Sequence, residues 1–291
     1  MPSTSITDQV IQDIRAENPR TQHVLRRMVH HLHAFVQDVQ PTQNEWETAI
    51  DFLTRTGQAC HPKRQEFILL SDVLGVTMLV DALQHAHDIP DATESTVQGP
   101  FHAPSPPMEM GSHLAQGPER ERGETTHVQG RVKDAVTHQP IAQATMEVWQ
   151  SDDLGLYDVQ QQRNTTTPNL RGTFVTGADG TYCFSTIKPA SYPVPTDGPV
   201  GEYLRTAGRN AMRPAHIHFR VQAPGYQSLV THIFVRGDPH LRSDAVYAVK
   251  DSLIVDFQQQ RQTDDTNEDS DYHVKFDIGL TKIPHDDGIQ Q

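Results

Sequence analysis

Apolar residues in the first ninety positions recur at spacings of three and four. Val24, Leu25, Met28, Val29, Leu32, Phe35 and Val36 share one face of a helix spanning 21–37. Pro41 and Thr42 open a second helix over 43–56. Thr42 as N-cap with Glu45 three residues on forms a capping box, Trp46, Ala49, Ile50 and Leu53 make the apolar stripe, and Gly57 marks a stop. A third long pattern starts at Lys63, runs through Phe67, Leu70, Val73, Leu74, Thr77, Met78 and Val80, and ends at Asp88 and Pro90.

Beyond residue 97 the pattern changes. The stretch from Gln98 to Pro107 is too rich in proline for helix or sheet, and Glu119 to Arg122 completes a polar crossing segment. From there the period is two: Val128, Gly130 and Val132 alternate, as do Thr145, Glu147 and Trp149 against Met146 and Val148. Phe174 to Thr176 and Tyr182 to Phe184 flank Gly177-Ala178-Asp179-Gly180, which predicts a hairpin. Further strands are expected over 215–222, 228–236, 252–257 and 272–278, and 258–270 reads as a polar loop. The organisation predicted is α+β but mainly β. It has a helical region (1–97), a linker (98–124) and an antiparallel β-sandwich (125–291).

Composition narrows the chemistry. The chain has 291 residues, 24 Lys and Arg against 37 Asp and Glu, and a net charge of −13. Nucleic-acid backbones and anionic membrane surfaces are poor partners for such a chain. Phe67 to Val80 is the most apolar stretch, yet it spans only 14 residues and contains Ser71 and Asp72, too short and polar to cross a bilayer. Met1 to Ser5 opens a polar stretch without a secretory pattern, so a soluble cytoplasmic protein is expected. Only Cys60 and Cys183 are present beside 17 His, so any bound metal takes N and O ligands rather than thiolates.

Arg213-Pro214-Ala215-His216-Ile217-His218-Phe219 carries the strongest local signal. On a strand, His216 and His218 point to one face and can reach one ion. On spacing alone they read equally as two satisfied polar groups on a half-exposed strand. Tyr157, at the end of Trp149-Gln150-Ser151-Asp152-Asp153-Leu154-Gly155-Leu156, and Tyr192, within Ser191-Tyr192-Pro193-Val194-Pro195, add two phenols. Taken singly, each reads as a core or rim residue.

Together these motifs resemble the intradiol ring-cleavage dioxygenases, the family that includes catechol and hydroxyquinol 1,2-dioxygenases, over nearly the whole chain. The resemblance implies one Fe(III) per subunit held by Tyr157, Tyr192, His216 and His218. Two phenolates are hard anionic donors suited to that ion. It also implies that Tyr192 leaves the metal to take a substrate proton, and that Arg213 stabilises charge developing on the ring. His232 stands where many catechol dioxygenases have Gln, and either polarises the substrate or supports a ligand.

Glu17 to Arg20, Arg64 to Asp72, Glu94 to His102 and Gly237 to Val246 resemble the hydroxyquinol enzymes in particular. The implied reaction opens benzene-1,2,4-triol with O2 to 3-hydroxy-cis,cis-muconate, or maleylacetate. Asp72 is the candidate partner of the third hydroxyl, with a solvated or capping carboxylate as the alternative. By the same resemblance Leu69, Val97, Gly99, Pro100, Phe101, Val194, Pro195 and Val246 line the pocket, with His102 nearby. A homodimer through the helical region, with phospholipid at its interface, is implied as well. The rival readings are the same chemistry on catechol or a chlorocatechol, and a non-catalytic metal- or ligand-binding β-sandwich. A purely structural module would require the two tyrosines and the histidine pair to be dispersed.

Overall fold

The computed structural model describes residues 5–62, 64–85, 89–160, 168–259 and 271–284. Its contacts divide it into two compact units, Met1–Arg55 and Thr56–Gln291, an earlier division than the change of pattern at residue 97.

The first unit is helical. Ser5 caps a short α1 (Ile6–Asp13), which the sequence pattern did not signal. α2 (Pro19–Val39) starts with Pro at its first turn and the Asn18 side chain accepting the Thr21 N–H. α3 (Gln43–Gln58) has the reciprocal cap: Thr42 N–H donates to Glu45 at 2.7 Å, and Glu45 N–H to the Thr42 hydroxyl at 3.3 Å. Thr7 meets His33 at 3.0 Å, and Arg26 donates to the Ile14 carbonyl at 3.0 Å, joining α1 to α2. The apolar stripes stay in solvent within a single chain, Phe35 being 60% and Trp46 52% exposed.

The second unit begins with two helices where the pattern predicted one. α4 (Glu66–Val73) and α5 (Val76–Gln84) are separated by Gly75, whose φ of +72° closes the first and which lies against the Tyr247 ring. The proposed ends at Lys63 and Asp88 lie outside the described residues. α6 (Pro118–Arg122) precedes the sheets.

The strands are β1 (Thr125–Asp134), β2 (Thr145–Gln150), β3 (Arg171–Val175), β4 (Thr181–Ile187) and β5 (Tyr192–Pro193). After α7 (Pro199–Thr206) come β6 (Met212–Arg213), β7 (His216–Gln222), β8 (Leu229–Val235) and β9 (Ile254–Val255). β10 (Gln258–Gln259), β11 (Tyr272–Lys275) and β12 (Ile278–Leu280) complete the set. Of the loop expected over 258–270, residues 258 and 259 form β10, and the remainder lies outside the described residues.

One five-stranded sheet gathers β10, β11, β1, β12 and β4, the other runs β3-β2-β7-β8-β9, and β5–β6 form a small ladder. The sheets are mixed rather than purely antiparallel. β1 lies antiparallel to β4 but parallel to β11 and β12, and β9 runs parallel to β8. Gly130 is required between the two parallel stretches, because a Cβ there would fall 1.8 Å from the Phe276 carbonyl oxygen.

The turn at 177–180 forms, with Gly177 N–H on the Thr181 carbonyl at 3.0 Å, yet it makes no hairpin. β3 pairs with β2 and β4 with β1, so the turn carries the chain from one sheet to the other. Between the sheets, Phe174 stacks on Phe184 at 5.4 Å, and Phe219 lies 6.1 Å from Phe184. The linker that begins with the proline-rich stretch is fastened to both sheets. Met108 N–H bonds Thr173 and Leu114 N–H bonds Ser185, both at 2.8 Å, so it reaches a strand of each sheet and buries Leu114, Ala115 and Glu119.

Replacing Phe184, which is fully buried, by Ala should lower the unfolding free energy by about 3–5 kcal/mol, measured by urea denaturation of the metal-free protein.

Candidate metal centre

Alternation along β7 splits its side chains. Ile217 and Phe219 enter the core, while His216 and His218 share the other face. That face is covered: both histidines are 1% exposed, which removes the half-exposed reading of the pair. The β5–β6 ladder pairs Tyr192 with Arg213 and sets both beside His216. Tyr157 is delivered by the 151–156 loop, which Asp152 folds by accepting the Leu154 and Leu156 N–H groups, both at 2.9 Å.

Four donor atoms meet. The Tyr157 oxygen lies 3.2 Å from that of Tyr192, 3.4 Å from His216 Nε2 and 3.0 Å from His218 Nε2. Tyr192 is 3.4 Å and His218 3.1 Å from His216 Nε2. Atoms bound to one ion at about 2 Å lie no more than about 4 Å apart, and these five separations all fall inside that limit. The residues therefore fit a single ion.

His232 is a third imidazole in the cluster, but it is aimed elsewhere. Its Nε2 lies 2.6 Å from His218 Nδ1, the nitrogen facing away from the common point. It thus orients His218, as the Pro214 carbonyl orients His216 through Nδ1 at 2.7 Å. Trp149 stacks on His218 at 4.6 Å, and Phe101 on Tyr157 at 4.7 Å.

Burial, reinforced by Arg213, pushes the His216 imidazole well below its ordinary pKa. Burial with His232 and His216 does the same to His218, so both stay neutral and free to bind. Burial raises the Tyr157 phenol, and the neighbouring Tyr192 adds to the effect. Ionising it needs a cation. Burial pulls the Arg213 pKa down, but Asp244, together with the two tyrosines, outweighs it and keeps the guanidinium charged.

Arg213 Nη1 stands 3.4 Å from the Tyr192 oxygen and 3.2 Å from His216, while Nε donates to Asp244 at 3.2 Å. Its buried Nη2 has no protein partner among the described residues. Asp72, on α4, is buried too. Desolvation raises its pKa against the field of Arg213, and its Oδ1 lacks a partner.

Of the residues expected to line a pocket, Gly99 and Phe101 pack against the donors. A Cβ on Gly99 would sit 3.4 Å from His218. Val246 N–H is accepted by Asp244 at 3.3 Å. Leu69, Val97 and Val194 are buried, Pro195 is half-buried and Pro100 exposed. His102 lies behind Trp149, edge-on at 4.8 Å, and bonds Glu147. Sequence reasoning missed Asp244, because a carboxylate 31 residues from its partner has no spacing signal. It also missed the stacking by Trp149, which the strand pattern had already named for another purpose. Replacing Asp244 by Asn strands the buried Arg213 charge, and should cost about 3–5 kcal/mol in urea unfolding of the metal-free protein.

Comparison with known proteins supplies the family. The family described as "Dioxygenase" matches residues 97–282, and "Catechol dioxygenase N terminus" matches residues 18–90. The chain is 49% identical to a hydroxyquinol 1,2-dioxygenase of Rhizobium sp. (strain MTP-10005), covering 84% of this chain and 81% of that one. It is 48% identical to a 6-chlorohydroxyquinol 1,2-dioxygenase of Cupriavidus pinatubonensis, over 90% and 91% of the two chains. The solved structure of a hydroxyquinol 1,2-dioxygenase from Pseudomonas putida DLL-E4 superposes with a TM-score of 0.86 at 43% identity, covering 96% of this chain and 98% of that one. With four N and O donors converging on one buried point, and matches running through both units, the chain belongs to the intradiol ring-cleavage dioxygenases.

Proposed function

We propose that this intradiol dioxygenase opens hydroxyquinol between its adjacent hydroxyls with O2, giving 3-hydroxy-cis,cis-muconate or its keto form, maleylacetate. Family membership implies a non-haem iron. In this reading it is one Fe(III) per subunit, held by Tyr157, Tyr192, His216 and His218. The observation that carries the reading is the convergence of these four donors, with Tyr157 and His216 each 3.0–3.4 Å from the other three. Bound iron supplies Lewis acidity and a template for two neighbouring oxygens.

The chain's own groups do the rest. Tyr192, as phenolate, takes the proton of one substrate hydroxyl, and Arg213 at 3.4 Å steadies its charge beforehand. The free Nη2 of Arg213 donates to negative charge developing on the ring. His232 keeps the His218 ring in place through Nδ1. The unpartnered Oδ1 of Asp72 accepts the third hydroxyl, and with plain catechol it would stay unpaired, which disfavours that substrate. Leu69, Val97, Gly99, Pro100, Phe101, Val194, Pro195 and Val246 form the pocket wall in this reading, and the pronounced similarity to hydroxyquinol enzymes supports it.

The exposed stripes of α2 and α3 support a homodimer formed through these helices with phospholipid at the interface, since a soluble chain rarely leaves so much apolar surface in water. No described helix is long and apolar enough to cross a membrane. We take the cytoplasm as the compartment, which two unpaired cysteines support.

Oxygen uptake by the iron-loaded protein, with the product identified by mass, should be fastest with hydroxyquinol. Its kcat/KM should exceed that for catechol by at least about 100-fold at fixed O2. Faster turnover of catechol or a chlorocatechol would reverse the substrate assignment, and a colourless protein without uptake would favour a non-catalytic binding module. Asp72→Ala should shrink the hydroxyquinol preference roughly tenfold or more. Tyr157→Phe should lose iron or, if Tyr192 still holds it, show a weakened and shifted tyrosinate band, whereas Arg213→Ala should keep iron and lower kcat by about 100-fold. Sedimentation should give twice the mass of one chain.

A further inference from the structure

The four donors come from three stretches of backbone: the loop ending at Tyr157, the β5 segment and β7. A single carboxylate ties β5 to β7. Asp238 follows β8 just after Gly237, whose φ is +87°. Its Oδ2 accepts both the Ser191 hydroxyl at 2.5 Å and the Ala215 N–H at 2.9 Å. Its Oδ1 accepts the His240 N–H at 2.8 Å, which fixes how the carboxylate faces. Ser191 immediately precedes Tyr192, and Ala215 immediately precedes His216.

The other side of the Tyr192 segment is closed by Gly155. A Cβ there would lie 2.7 Å from Tyr192 Cβ and 3.1 Å from the Ser191 carbonyl oxygen. The backbone at 191–192 is therefore pinned between the Tyr157 loop and Asp238. The Tyr192 ring keeps its own torsions, while its point of attachment is held. Only a carboxylate meets the demand at 238. Three donors face it, and an amide would present one of them with its own N–H groups.

We propose that Asp238 is a positioning residue. Acting through Ser191 and Ala215, it sets the separation of the Tyr192 oxygen from His216 Nε2, and it brings Tyr192 back to the same place after each proton transfer. The inference rests on the iron-ligand reading above.

The test compares wild type with Ser191→Ala, Ser191→Thr and Asp238→Asn, all iron-loaded. It reads the visible tyrosinate band, the rate of iron loss to a chelator, and kcat and KM for hydroxyquinol. Ser191→Ala cuts only the Tyr192 arm. It should shift the band and speed iron loss roughly tenfold, and Ser191→Thr should restore both. The kcat of Ser191→Ala should fall about tenfold with KM within about twofold, because binding is spared. Asp238→Asn should move every quantity further the same way; if it fails to fold, the two Ser191 variants decide. A wild-type band and wild-type iron loss in Ser191→Ala, even with a lower melting temperature, would overturn the proposal by making the contact merely structural. A Tyr192→Phe protein with an unchanged band would instead overturn the ligand reading, and the proposal with it.

Discussion

Four polar donors gathered about one point, away from solvent, are the constraint around which the second unit is arranged. Tyr157, Tyr192, His216 and His218 are each at most 4% exposed. Burying such groups is costly unless their remaining polar atoms find partners. The Pro214 carbonyl, His232 and Arg213 are those partners, and each one also aims a donor atom at the common point. Satisfying the buried polar groups and orienting the ligands are one and the same task here.

Segments near this point are fastened by charge as well as by the short β5–β6 ladder. Arg213 pairs with Asp244, and Arg171, on β3, pairs with Asp158, next to Tyr157. Arg171 also donates to the Phe101 carbonyl at 3.2 Å, which ties down the ring that stacks on Tyr157. Glu66, fully buried on α4, binds Arg64 at 2.8 Å and accepts the Val200 N–H at 3.1 Å, at the start of α7. Pairs of this kind add little net stability over well-packed apolar groups, yet losing one partner is expensive. Their effect is to specify where the loops go.

Legibility followed the range of the interaction. Local rules sufficed for α2, α3 and their capping box, for the strand period, and for the turn at 177–180. The His216–His218 pair was visible because strand geometry puts residues two apart on one face. The two tyrosines could be joined to it through family resemblance, since no spacing rule links 157, 192 and 216. Where the reading failed, a distant residue decided. Gly75 ends a helix that apolar spacing would have continued, with the Tyr247 ring against it. The Gly177–Gly180 turn looks the same whether its strands pair with each other or with partners in two sheets. Asp244 and Asp238 act across loops, where composition carries no periodic signal.

β1, near the start of the sandwich, lies between β4 and the late strands β11 and β12. A chain emerging from the ribosome can place every donor of the metal centre before β11 exists, yet the first sheet still lacks an edge at that moment. Strand pairings separated by some 146 residues close slowly, because the intervening loop entropy must be overcome first. Until they close, the β1 edge stays open to pairing with other chains. The interval between the folding of β1 and the docking of β11 and β12 is therefore the one in which the first sheet is most exposed to aggregation.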